Sequence, residues 1–98
     1  MFGLLDSDVE FILDVVKKMS TIDKVGVYGS RANNGYKYNS DIDIVLYGSI
    51  SMYELGEIDY ILNNKSPFPY FVDVVAYDII TDKQFKIEID KTVNIISQ

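Results

Sequence analysis

The sequence contains no cysteine and no histidine, and Arg31 is its only arginine. Without cysteine, the chain can form neither a disulfide nor a thiolate zinc site. The two absences together exclude Ser-His-Asp and Cys-His nucleophilic centres and every histidine-ligated zinc site. Carboxylates, hydroxyls, lysines and one guanidinium remain for chemistry, so an oxygen-ligated hard cation is the cofactor class that fits this composition.

Positive charge and long apolar runs are also scarce. The formal net charge is -6, whereas proteins held to nucleic acids by phosphate contacts carry clustered lysine and arginine. We therefore expect no direct nucleic-acid binding. No run approaches the roughly 20 apolar residues that span a bilayer, and the amino terminus lacks the basic and apolar regions of a signal peptide. We expect no membrane association and a cytoplasmic location.

The length of 98 residues predicts one domain, residues 1-98, with a single core. Helical and strand signals alternate without a repeat or linker, which favours an α/β or α+β domain. Capping-box spacings at Ser7 and Ser51 open two of the helices, and the SPFP segment ends the second. The predicted helices cover residues 8-19, 51-63 and 82-90, and the predicted strands cover residues 24-28, 41-47, 71-77 and 93-96.

Two aspartates lie inside an apolar strand pattern. Asp41 and Asp43 alternate with isoleucines, and the period of two places both carboxylates on one face. Carboxylates this close repel each other unless a cation lowers the cost. Four other acid-x-acid pairs are read as solvated helix faces or caps because they lack this setting. A solvated edge strand remains an alternative for Asp41 and Asp43. An EF-hand loop does not fit, because Leu46 and Met52 occupy its glycine and glutamate positions.

Asp73 lies in a similar apolar run, on the same strand face as Phe71 and Val75. An isolated acidic residue in a strand is often only an edge residue. If the second and third strands are neighbours, Asp73 comes to lie beside the first two aspartates. The three carboxylates would then form a metal site.

Gly29 and Ser30 end the first predicted strand abruptly. In one interpretation they form only a turn, with the glycine supplying a permissive backbone and the serine a cap. In the other, the glycine lets the backbone approach a phosphate while Ser30 and the following amides donate to its oxygens. Both alternatives stay open on the dipeptide alone.

Taken together, these residues resemble the minimal nucleotidyltransferase group of the DNA polymerase β-like superfamily. Its signature is Gly-Ser, ten residues, then Asp-x-Asp, with a third acidic residue on a later strand. Here Gly29 and Ser30, Asp41 and Asp43, and Asp73 match these positions. The resemblance covers nearly the whole chain. It implies an α+β nucleotidyltransferase fold. This fold is a two-layer α/β arrangement in which a small mixed β-sheet is flanked by helices.

The resemblance also implies a mechanism, nucleotidyl transfer from ATP with two Mg2+ ions. Asp41, Asp43 and Asp73 would be the catalytic and metal-binding residues, and Gly29, Ser30 and Arg31 would bind the nucleotide. The sequence departs from the family at the position soon after Arg31, where relatives frequently carry a second arginine.

Small proteins of this group are commonly antitoxins that transfer AMP to a tyrosine of a partner HEPN toxin. The resemblance thus implies a protein acceptor and a toxin-antitoxin system. It also implies that the chain assembles into a homo-oligomer or a hetero-oligomer. Two alternatives are a non-catalytic antitoxin that neutralises its partner by binding alone, and a small-molecule nucleotidyltransferase of the aminoglycoside-modifying type.

Overall fold

A computed structural model describes residues 2-19, 21-33, 35-37 and 40-97. The helices are α1 (Asp6–Lys17), α2 (Met52–Asn64) and α3 (Lys83–Thr92). The strands are β1 (Ile22–Tyr28), β2 (Ile42–Gly48), β3 (Val72–Ala76) and β4 (Asn94–Ile95). Two short 3-10 helices, Gly29–Asn33 and Tyr77–Ile79, follow β1 and β3 directly. Each predicted helix and strand is present, and its ends lie within two residues of the predicted ones.

The four strands form one mixed sheet in the order β3-β2-β1-β4. β2 pairs with β1 antiparallel and with β3 parallel, and β4 pairs with β1 antiparallel. The parallel pair is possible because α2 carries the chain back across the sheet between the two strands. This sheet and its helices confirm the expected α+β fold.

The strand period separates the sheet into two faces. The isoleucine face packs under α1 and α2, where Ile42 and Ile44 meet Ile12 and Leu62 in a core with almost no exposed surface. On the other face, Val45 packs with Tyr28 and with Ile89 of α3. The sheet and the α1-α2 pair form the two expected layers, and α3 covers part of the second face. The predicted aspartate side of β2 is therefore the α3 side.

The start of α1 differs from the prediction. Ser7 was expected to cap a helix beginning at Asp8, but the helix begins at Asp6 after the N-cap Leu5. The Asp8 carboxylate accepts a hydrogen bond from the Leu5 N–H at 3.3 Å and another from the Tyr70 hydroxyl at 3.3 Å. Asp8 satisfies the N-cap amide from within the helix, so the helix gains two residues.

The start of α2 matches its prediction. Ser51 is the N-cap, its hydroxyl accepts from the Glu54 N–H at 3.1 Å, and the Glu54 carboxylate accepts from the Ser51 N–H at 3.0 Å. This reciprocal pair satisfies two backbone donors that the helix leaves unpaired. None of the helices in the described ranges is long and apolar enough to cross a membrane.

Candidate active site

Asp43 and Asp73 lie directly opposite each other on β2 and β3. Side chains paired in register point to the same face of a sheet, so both carboxylates belong to the α3 side. Tyr28, the last residue of β1, pairs with Asp43 from the other direction. The expected condition, that the second and third strands are neighbours, is therefore confirmed.

Burial and electrostatic repulsion both act on Asp43. Partial burial, the Asp73 carboxylate and the Asp41 carboxylate together raise the pKa of Asp43 from 3.8 to about 6. Burial disfavours the charged form, and like charges disfavour it further. Burial and the carboxylates of Asp43 and Asp73 also raise the pKa of Tyr28 above its usual range. The site concentrates negative charge that a cation would neutralise.

Asp41 and Asp73 are exposed, while Asp43 is half-buried. Asp41 lies immediately before β2 rather than inside it. The structure therefore places one carboxylate partly inside the sheet and two at its solvent edge. Exposed side chains can change rotamer without disturbing the core, so Asp41 and Asp73 are free to turn towards a ligand.

Gly29 brings the backbone against this acidic group. Its φ of +76° is favourable only for glycine, and a Cβ at this position would come within 2.5 Å of the Asp43 Oδ2 atom. The Gly29 N–H donates to the Thr92 hydroxyl of α3 at 3.1 Å, and that hydroxyl donates to the Glu88 carbonyl at 3.0 Å. The turn after β1 is thus held in contact with Asp43 by the end of α3.

Ser30 follows Gly29 in the 3-10 helix and is exposed. Its carbonyl accepts from the Gly35 N–H at 3.1 Å, which closes the segment after the helix. The Ser30 side chain is open to solvent at the same end of β1 as the Asp43 carboxylate. Gly29 and Ser30 are therefore brought together with Asp43 and Asp73.

The Arg31 side chain is buried, in contrast to the exposed side chain of Ser30. Its side chain is only 1% exposed, and its guanidinium donates to the carbonyls of Phe2 at 3.0 Å and Ser40 at 2.7 Å. The guanidinium also lies over the rings of Tyr70 at 4.7 Å and Tyr36 at 5.2 Å. A contact between Arg31 and a nucleotide phosphate stays a prediction, and the structure gives this residue an interior environment instead.

The described residues contain no group of three acidic side chains already placed to hold a metal ion. The donor chemistry nevertheless fits Mg2+ or Mn2+, because carboxylate oxygens are the ligands these hard cations prefer. The pKa of Asp43, raised first by burial and then by the Asp73 and Asp41 charges, also fits a cation, because a bound cation would favour the charged form of the carboxyl. Asp41 and Asp73 would have to rotate towards Asp43 to complete such a site.

Two residues that support the site, Thr92 and Asn63, are not predicted from the sequence. Thr92 holds the Gly29 amide, and Asn63 of α2 binds both the N–H and the carbonyl of Val72, each at 2.8 Å. Neither residue belongs to a motif, and their partners lie 63 and 9 positions away in the chain. An asparagine in the last turn of a helix before an apolar strand is a weak signal for the second contact, and no local signal exists for the first.

Comparisons with known proteins agree with this geometry. A family model described as polymerase beta, nucleotidyltransferase, matches residues 10-98. A comparison with curated proteins finds no significant match. A crystal structure of a toxin-antitoxin with AMP-PNP shares 17% identity and a TM-score of 0.75, covering 93% of this chain and 72% of that chain. The toxin-antitoxin MntA-HepT crystal structure shares 15% identity and a TM-score of 0.69, covering 93% of this chain and 70% of that chain.

Proposed function

This chain belongs to the polymerase beta nucleotidyltransferase family, and we propose that it transfers AMP from ATP to a hydroxyl group. The supporting observation is the contact of the Gly29 turn with Asp43, which itself faces Asp73 across two parallel strands. A phosphate-binding turn and a carboxylate group meet there at one edge of the sheet. Both are needed to bind and activate a nucleoside triphosphate.

Each residue has a role in this proposal. Ser30 and neighbouring backbone amides hold the terminal phosphates, because hydroxyl and amide donors suit phosphate oxygens. Asp41, Asp43 and Asp73 would hold two Mg2+ ions. Bound divalent cations supply charge neutralisation on the triphosphate and lower the pKa of the acceptor hydroxyl. Because Gly29 has no side chain, the backbone can come close enough for both halves to act on the same triphosphate.

The transfer balances without a further co-reactant. The acceptor oxygen forms a bond to the α-phosphorus, the bond from that phosphorus to pyrophosphate breaks, and the hydroxyl proton passes to a carboxylate at the solvent edge. We assign that role to Asp73, and its exposure beside the half-buried Asp43 supports the assignment. The products are an AMP ester of the acceptor and pyrophosphate.

We infer that the acceptor is a tyrosine of a partner toxin of the HEPN class and that this chain is its antitoxin. Structural neighbours of the fold are toxin-antitoxin assemblies, one of them with AMP-PNP. The proposal includes a cytoplasmic location, because the donor is ATP.

Incubation of the purified protein with labelled ATP, Mg2+ and the product of the adjacent gene tests the reaction. We expect label on a tyrosine of the partner and loss of labelling in the Asp41→Asn, Asp43→Asn double variant. Glu57→Gln, a change in an acid-x-acid pair on α2, is the matched control and should label normally. Absence of transfer with every nucleoside triphosphate would contradict the proposal.

A second candidate is a non-catalytic antitoxin that acts by binding alone. It is favoured by the lack, among the described residues, of three acidic groups already placed to hold a metal ion. The same double variant separates the two functions in a growth assay with the toxin. If catalysis neutralises the toxin, protection is lost with Asp41→Asn, Asp43→Asn; if binding suffices, protection survives.

A further inference from the structure

Arg31 connects the chain segments that carry the candidate site. Ser30 is its immediate neighbour in sequence, its guanidinium donates to the Ser40 carbonyl next to Asp41, and the guanidinium lies over Tyr70, three residues before Asp73. The three segments meet at one buried side chain.

The geometry around the guanidinium is suited to fixing these segments. Its two terminal nitrogens donate in different directions, at 3.0 Å to Phe2 and at 2.7 Å to Ser40. The rings of Tyr36 and Tyr70 lie against it at 5.2 Å and 4.7 Å. A planar guanidinium can satisfy carbonyls at its edge and rings at its face together, which a lysine ammonium cannot do.

The arrangement is anchored to the rest of the protein. The Tyr70 hydroxyl donates to Asp8 of α1 at 3.3 Å, and the same carboxylate accepts from the Leu5 N–H. Gly3 leaves room for the guanidinium, since a Cβ there would come within 2.9 Å of its Nη1 atom. The amino-terminal segment therefore closes over Arg31 and excludes solvent from it.

We propose that Arg31 is a positioning residue that fixes Ser30, Asp41 and Asp73 relative to one another from inside the protein, without touching the nucleotide. Its charge neutralises no phosphate. It holds the Ser40 carbonyl, and so limits where the adjacent Asp41 side chain can reach. The roles of Ser30, Asp41 and Asp73 in binding a ligand rest on the proposed function. The role of Arg31 in ordering the segment before β2 does not depend on that function.

Amide hydrogen exchange on the metal-free protein tests the ordering directly. The Ser40 N–H bonds to the Lys37 carbonyl at 3.0 Å and the Ile42 N–H to the Phe71 carbonyl at 3.0 Å. In Arg31→Gln and Arg31→Lys we expect protection at these two amides to fall by about tenfold or more beyond any fall at Ile58 of α2. Equal loss at all three amides, or full protection in Arg31→Lys, overturns the proposal.

Two control variants separate this effect from general destabilisation. Ile12→Val removes one buried methyl group of α1 and should lower protection evenly across the core. Lys24→Met removes a cation that lies 4.9 Å from the Tyr47 ring centroid, and it should leave Ser40 and Ile42 unchanged. If the Arg31 variants do not fold, Tyr36→Leu keeps the charge but removes one ring, and it should still lower protection at Ser40. Unchanged protection in Tyr36→Leu then counts against the proposal.

Binding measurements separate this role from a phosphate contact. If Arg31 orders Asp41, both Arg31→Lys and Arg31→Gln should lower the Mn2+ affinity of the nucleotide-free protein by about tenfold. If Arg31 only contacts phosphate, both variants keep the wild-type Mn2+ affinity and Arg31→Lys keeps most of the nucleotide affinity. That second result overturns the proposal. If the wild-type protein binds neither Mn2+ nor ATP, the proposed function fails, while the exchange experiment still decides the role of Arg31.

Discussion

Asp43 on β2 lies directly opposite Asp73 on β3, and the two strands run parallel. The pairing puts two carboxylates on the same face of the sheet, and Asp41 lies just before the same strand. Burial together with the charges of Asp73 and Asp41 raises the pKa of Asp43 to about 6. In the absence of a cation, this arrangement lowers the free energy of unfolding.

The Asp43→Asn variant is expected to stabilise the metal-free protein near neutral pH. The pKa of Asp43 is 3.8 in its ordinary state and about 6 in the fold, so the folded state holds the proton more tightly than the unfolded state. The destabilisation by its charge therefore develops as the pH rises from about 4 to 6 and is complete above that. Asparagine cannot ionise and avoids it. With allowance for solvent screening, we expect about 1 kcal/mol of added stability at about pH 8.

Urea unfolding in EDTA, followed from about pH 4 to about pH 8, measures this difference. The two proteins should differ little at the acidic end and diverge as the pH rises. Asp14→Asn, on the exposed face of α1, is the control and should show no such divergence. A gap that is independent of pH would contradict the assignment of the effect to Asp43 ionisation.

Addition of Mg2+ or Mn2+ together with ATP should raise the melting temperature of the wild-type protein. Ligands that bind only the folded state stabilise it by mass action, by about 2.7 kcal/mol at a hundredfold excess over Kd. The increase should disappear in Asp43→Asn and return to baseline on addition of EDTA. Glu57→Gln should retain it. An equal increase in Asp43→Asn would place the cation elsewhere.

The Gly29→Ala substitution should destabilise the fold and reduce nucleotide binding. The added Cβ would meet the Asp43 Oδ2 atom at 2.5 Å, and the φ of +76° is unfavourable for alanine. We expect a loss of about 1 to 3 kcal/mol in the free energy of unfolding. Gly56→Ala is the matched control, because a Cβ at Gly56 meets nothing within 4 Å. It lies inside α2 and should stabilise the protein by up to about 1 kcal/mol. Thermal unfolding of the two variants should thus shift in opposite directions.

Asn63→Ala should loosen β3 and with it the position of Asp73. The Asn63 side chain accepts from the Val72 N–H and donates to the Val72 carbonyl, so alanine leaves both groups of a buried residue without these bonds. We expect a cost of about 1 to 3 kcal/mol. The adjacent Asn64, which donates only to the Tyr60 carbonyl at 2.9 Å and is exposed, is the control. Asn64→Ala should change stability by less than about 0.5 kcal/mol. Similar losses in chemical denaturation would show that the bonds to Val72 contribute little.

Local sequence patterns were sufficient to predict the helices and strands. The capping box at Ser51 and the strand alternation around Asp43 depend on neighbouring residues only, and both are found in the structure. The start of α1 was predicted wrongly because the Asp8 carboxylate satisfies the Leu5 amide from within the helix, so that Leu5 rather than Ser7 is the N-cap. The same carboxylate also accepts from Tyr70, which is 62 positions away, and that second contact leaves no mark in the local sequence.

The sequence alone predicts the alternation of helices and strands, a shared face for Asp41 and Asp43, and a phosphate-binding turn at Gly29. These predictions rest on backbone periodicity and on the steric freedom of glycine, which act over a few residues. The helices and strands are present in the structure, whereas Asp41 lies just before β2 and the role of Gly29 stays a prediction. The position of Asp73 beside Asp43 follows from the tertiary structure, because strand order depends on how α2 packs. The inward direction of Arg31 also follows from it, because the carbonyls and rings around the guanidinium come from three separate segments of the chain.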